Sequence, residues 1–166
     1  MLQVDTTLLS AVITGTVGGM SMTGIKPVPV GASRYSASRH SHAVMVGLVG
    51  RSSGSVSLNM SESGMLFLAG QLMGEPAHHL DEDAIDAAME LGNMTAGCIK
   101  EELVATEYDV SAISLPSLII GSSYAVMFAR GIITLSVEFE IGDVPVTQSN
   151  ERLFCTTISL LRGSGA

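Results

Sequence analysis

Leu80-Asp81-Glu82-Asp83-Ala84-Ile85-Asp86-Ala87-Ala88-Met89-Glu90-Leu91-Gly92-Asn93-Met94-Thr95-Ala96-Gly97-Cys98-Ile99-Lys100-Glu101-Glu102-Leu103-Val104 is the stretch on which the fold turns. Apolar or small residues stand at 85, 88, 89, 92, 96, 99 and 103. At about 100° per residue they gather within roughly 60° of Ile85, on one face of a helix. The spacing predicts one long amphipathic helix over residues 80–104. Its start is marked three times. Asp81 is placed to cap the free amides, Glu82 and Asp83 lie at the positive end of the macrodipole, and Leu80 and Ile85 hold the N′ and N4 positions of a hydrophobic staple.

A second stripe of the same helix, Asp86, Glu90, Asn93 and Gly97, falls at roughly 80° to 140° from Ile85, beside the core face and within reach of solvent. A glycine inside a helix costs about 1 kcal/mol relative to alanine and leaves a notch that another chain can approach. Glu90 and Asn93, three apart, point the same way and offer a carboxylate and a carboxamide to something that docks. Spacing alone leaves the bland alternative open, because acids and amides on helix flanks are usually just solvated.

Outward from this helix the pattern alternates between helical and extended runs. Residues 4–20 carry Leu8, Leu9, Val12, Ile13 and Val17 at helical spacing, weakened by Gly15, Gly18 and Gly19. Lys26-Pro27-Val28-Pro29-Val30 is extended, and its two prolines confine it to a sheet edge. The polar residues 33–41 read as a loop or ragged edge. Residues 43–49 and 56–60 read as strands of a hairpin turned at Arg51-Ser52-Ser53-Gly54. Residues 62–73 form a second helix ended by Gly74, and Pro76 prevents its continuation. Strands are predicted at 108–113, 117–120, 124–129, 132–141 and 153–161, the fourth of these alternating wet and dry side chains. The fold class is α+β in two layers, a largely antiparallel sheet with long helices packed on one face. One domain over residues 1–162 with a flexible tail at 163–166 suits the length of 166 residues.

Composition narrows the function. Sixteen acids against eight bases give a net charge of -8, with no tryptophan and few aromatics, so neither the charge nor the stacking surface for nucleic acid is provided. The N-terminal residues lack the basic-then-apolar order of a secretory signal, and the uncharged runs 6–25 and 110–129 are broken by Gly, Ser, Thr or Pro116. No membrane partner and a cytoplasmic location are expected. Cys98 and Cys155 are too far apart in sequence for a metal motif and read as small buried thiols. His40, His42, His78 and His79 read as surface histidines, the ten methionines mainly as core, and no Walker loop or nucleophile elbow is found.

The run Glu90-Leu91-Gly92-Asn93-Met94-Thr95-Ala96-Gly97, followed by Lys100-Glu101-Glu102-Leu103 and then Ser114-Leu115-Pro116-Ser117-Leu118-Ile119-Ile120-Gly121, resembles the CheX/CheC/FliY family of chemotaxis phosphatases. That family's signature is an acid and an asparagine three later on a long helix, a small residue and glycine beyond them, and a Leu-Pro-Ser/Thr strand downstream. The similarity extends more weakly over about residues 4–161. Ala43-Val44-Met45 and Ala125-Val126-Met127 suggest an internal repeat. Matching Gly15 to Gly92 sets Ile13 opposite Glu90 and Thr16 opposite Asn93, so the first copy lacks the polar pair. A single site points to the CheX branch.

The resemblance implies hydrolysis of the aspartyl phosphate on a CheY-type response-regulator receiver. Asn93 would hold the attacking water in line, and Glu90 would pair with a receiver lysine. Gly97 would permit close approach, and Asp86 would extend the acidic docking edge. It further implies a homodimer, no metal or organic cofactor on this chain, and Mg²⁺ brought by the phosphorylated receiver. The alternative is a non-catalytic CheX-like module that binds a receiver or a flagellar switch component.

Overall fold

A computed structural model describes residues 4–34, 40–121, 126 and 129–161. The elements are α1 (Thr6–Gly19), a short 3-10 turn, β1 (Val28–Ser33), β2 (His42–Gly50), β3 (Ser53–Met60), α2 (Glu62–Met73), α3 (Glu82–Leu103), β4 (Val110–Ile120), β5 (Ile132–Glu140), α4 (Ser149–Arg152) and β6 (Leu153–Leu161). Local chemistry sets the helix boundaries as expected. Asp5, Ser61 and Asp81 cap α1, α2 and α3 by accepting the amides of Leu8, Gly64 and Ala84. Gly74 ends α2 with a φ of 79°, in the left-handed region that glycine tolerates.

The six strands form one antiparallel sheet in the order β1-β5-β6-β3-β2-β4, with β1 and β4 at its edges. The strand bearing Pro29 is thus an edge strand, as its prolines require. Register aligns Val44, Leu58, Thr156 and Val137 in one row, and α1 and α3 lie on that side. Gly92 of α3 sits against Val44, and Thr16 of α1 meets Thr156, their hydroxyls 3.1 Å apart. The next row, Ser136, Thr157, Ser57 and Met45, faces the other way. Its polar groups bond to one another, with Ser136 and Thr157 hydroxyls 2.8 Å apart and Asn59 donating to Ser57 Oγ at 3.0 Å. The architecture is the two-layer α+β arrangement expected.

Several local expectations are corrected. Residues 108–113 and 117–120 are not two strands: β4 runs unbroken through Pro116, which an edge strand tolerates because one side of it needs no donor. The glycines of α1 do not weaken it but form its contact with α3. The buried arc of α3 takes in Ala84, Ala87, Leu91 and Thr95 as well as the predicted Ala88, Gly92, Ala96, Ile99 and Leu103, while Ile85 and Met89 are only half-buried. It reaches from roughly 20° to −160° on the scale set at Ile85, because α1 covers a flank that the periodicity left open. His42 is not a surface residue; it is 4% exposed, with Nδ1 2.7 Å from Ser41 Oγ. Cys98 and Cys155 are free and half-buried rather than buried. The methionines divide: Met20, Met60 and Met65 are in the core, and Met22 is exposed. Most of the strand expected at 124–129, part of the loop at 33–41 and the tail at 163–166 lie outside the described residues, as do Ala125 and Met127 of the suggested repeat.

Candidate functional site

Helix α3 packs on β2 and β4 beside α1, which itself rests on β5 and β6, and one flank of its first four turns is left uncovered. Asp86 and Glu90 are exposed on that flank and Asn93 is half-buried, so the predicted stripe faces solvent. These three line one groove of about 750 Å³. The other walls come from the end of α2 (Leu72 and Met73, with Glu75 just beyond), from Asp83 and Met89 of α3, and from Leu115 and Pro116 of β4. Gly97 lies one turn beyond Asn93 and outside the groove lining; a Cβ added there would meet nothing within 4 Å. The notch is therefore open, as the sequence reading required, whereas Gly92 is the glycine consumed by packing inside the molecule.

Among the described residues neither Glu90 nor Asn93 makes a side-chain hydrogen bond or ion pair. An acid and an amide left unpartnered side by side are available to an incoming group. The groove is acidic: Glu75, Asp83, Asp86 and Glu90 line it, and among the described residues no basic one does. Sequence reasoning missed Met73, Glu75, Asp83, Met89 and Leu115. Met73 and Glu75 come close only once α2 and α3 pack; Asp83 and Met89 stand on α3 itself but were read as a dipole residue and a core residue, and Leu115 fell between two predicted strands.

Nucleophilic catalysis by cysteine has little support here. Burial pushes the Cys98 thiol up, and Glu101 and Glu102 push it further. Burial likewise raises the Cys155 thiol, with Glu138 adding to it against a hydrogen bond to Thr157. Neutral thiols are poor nucleophiles. Among the described residues no group of three or more His, Cys, Asp or Glu side chains could hold a metal ion, and no helix is long and apolar enough to cross a membrane. The chemistry on offer is the orientation of a small polar species by an amide beside a carboxylate.

Residues 42–140, more than half of the chain, match the family described as chemotaxis phosphatase CheX. The chain belongs to the CheX family. Among solved structures it is similar to a chemotaxis protein CheX from Desulfovibrio desulfuricans, at 20% identity over 92% of this chain and 98% of that one, with a TM-score of 0.75. A CheC-like superfamily protein from a Shewanella species is 17% identical over 95% and 99% of the two chains, with a TM-score of 0.77. A chain of the CheX-CheY-BeF3-Mg²⁺ complex from Borrelia burgdorferi is 21% identical over 95% and 99%, with a TM-score of 0.72. Identities this low speak to the shared fold. No curated protein matches the chain. The position matched to Asn93 in α1, Thr16, is buried and bonded to Thr156, so α1 presents no second polar pair.

Proposed function

We propose that this CheX-family chain hydrolyses the aspartyl phosphate of a CheY-type receiver domain, with Asn93 and Glu90 as its site. The observation that carries the reading is the unpartnered Glu90–Asn93 pair on the open flank of α3, inside the acidic groove. An acyl phosphate is already reactive, so what a catalyst adds is a water held in line. The Asn93 carboxamide accepts a hydrogen bond from that water through Oδ1 and donates through Nδ2, and an amide keeps its protonation state across the physiological range. Water attacks phosphorus, the bond from phosphorus to the acyl oxygen breaks, and the receiver aspartate leaves as a carboxylate with inorganic phosphate as the other product. Glu90 pairs with a lysine of the receiver and fixes the approach of α3. Gly97 keeps the surface beyond Asn93 low, and Asp86 extends the acidic edge.

The chain is expected to need no metal or organic cofactor of its own, the receiver bringing its Mg²⁺. It is expected to act in the cytoplasm and as a homodimer joined through sheet edges, since an unpaired edge is a template for strand pairing. The deciding experiment times phosphate loss from a phosphorylated CheY-type receiver with and without this protein. Acceleration that vanishes in Asn93→Ala supports the reading. Tight binding of the receiver without acceleration assigns the chain to the non-catalytic modules instead.

A further inference from the structure

The edge strand β4 carries an irregularity beside the site. Val46 pairs with Pro116 and Leu48 with Ile113, so Ser114 and Leu115 together stand across from the single residue Gly47. Ser114 pins this bulge from both sides: its Oγ accepts the Gly47 N–H at 2.8 Å and donates to the Leu115 carbonyl at 2.9 Å. A bulge with an extra residue bends a strand and re-aims the side chain it carries, and such bulges gather at edges and next to active sites. Here the re-aimed side chain is Leu115. It is 88% exposed, the most exposed of the large apolar side chains described, and it stands at the wall of the groove that holds Glu90 and Asn93.

Leu115 does not stand alone. Met73 and Met89 line the same groove, and the carboxylates of Glu75, Asp83, Asp86 and Glu90 surround them. An apolar centre inside a charged rim is the make-up of a protein-docking surface, where a few apolar anchors carry most of the binding energy and the rim sets partner and approach. From the bulge, the exposure and the continuity with the polar pair, we infer that Leu115 is the apolar anchor of receiver docking. The partner surface that fits is a receiver face with an apolar or aromatic patch ringed by lysine or arginine beside its phosphorylated aspartate. Leu115 is thus a specificity residue, which selects among receivers and does not touch the reacting atoms. This inference rests on the phosphatase reading.

The test is steady-state hydrolysis of a phosphorylated CheY-type receiver by the full chain, its Leu115→Asp and Leu115→Met variants, and Asn93→Ala. Leu115→Asp is expected to raise KM about tenfold or more and to leave kcat within about twofold, while Leu115→Met stays close to the parent. Melting curves check that each variant folds. A KM for Leu115→Asp within about twofold of the parent's overturns the inference, as does a change from dimer to monomer in light scattering with receiver affinity unaltered, which would assign Leu115 to the subunit interface. Loss of turnover in Asn93→Ala alongside an unchanged KM in Leu115→Asp leaves the phosphatase reading standing and removes only the anchor. If the parent shows no turnover, titration with the receiver carrying BeF3 and Mg²⁺ decides: affinity lost in Leu115→Asp supports the anchor, and equal or absent binding overturns it.

Discussion

Gly15 of α1 lies against Ile99 of α3 so closely that a Cβ built on the glycine would come within 2.4 Å of Ile99 Cγ1 and 2.7 Å of its Cα. One turn on, a Cβ at Gly19 would stand 2.5 Å from the Cα of Thr95. Backbone contact of this kind leaves no side chain to give way, so α1 acts as a rigid brace along the back of the helix that carries Glu90 and Asn93.

Gly15→Val therefore forces the two helices apart. We expect a loss of stability of about 3 kcal/mol or more, beyond the usual overpacking range, because backbone and not a flexible tip is in the way. Gly97→Ala, where space is open, is expected to raise stability by up to about 1 kcal/mol and to weaken receiver binding. Urea titration of both variants checks the signs, and a Gly15→Val chain as stable as the parent refutes the brace.

Asn93 and Glu90 separate kinetically. Asn93→Ala is expected to lower kcat by about 10² or more, the scale on which loss of positioning acts. Glu90→Ala is expected mainly to raise KM, with a smaller change in maximal rate. Neither change should cost more than about 1 kcal/mol of stability, since both side chains stand on the open flank.

Assembly is checked by light scattering at micromolar concentration, where a dimer is expected. The exposed edges available are β1, with Val28 and Val30 uncovered, and β4. A monomer at that concentration refutes the expectation.

Extensively chelated protein is expected to hydrolyse the phosphorylated receiver at the full rate once Mg²⁺ alone is restored. A stoichiometric transition metal needed for turnover contradicts this outcome.

Acid sensitivity follows from His40, whose pKa burial lowers below its ordinary 6.5, against a weaker upward pull from Glu138. The unfolded chain takes up this proton near 6.5 and the folded chain only at lower pH. Below 6.5 the unfolded state thus binds more protons, and stability falls as pH drops. The urea midpoint of the parent is expected to fall more between pH 7.5 and 5.5 than that of His40→Gln. Equal falls would show that His40 does not titrate differently on folding.

The long helix and its neighbours were legible because their signals are local. Asp81 caps the start of α3, and Ser61 and Gly74 bracket α2. What was not legible depends on partners distant in the chain. Gly15 and Gly19 read as breakers because nothing in their own helix reveals that Ile99 and Thr95 will fill the missing volume. Pro116 read as a strand break because its tolerance depends on β4 being an edge, which is a property of the sheet. His42 read as exposed because the first residue of β2 looks like the last residue of a polar loop. The four residues of α4 are too few for periodicity to register. At the site, the stripe of Asp86, Glu90, Asn93 and Gly97 could be placed by angle alone, whereas Leu115 enters it through a bulge that no period encodes.

The bond between Thr16 and Thr156 also limits what α1 could be made to do. Giving α1 its own acid and amide, by Ile13→Glu and Thr16→Asn, would put a carboxylate against the core and a carboxamide where one hydroxyl now fits beneath β6. The glycine brace has fixed which face of α1 is inside, so point mutation cannot turn that helix to show a new pair. A variant meant to carry two sites would have to rebuild the interface between α1 and α3 before α1 could show an acid and an amide.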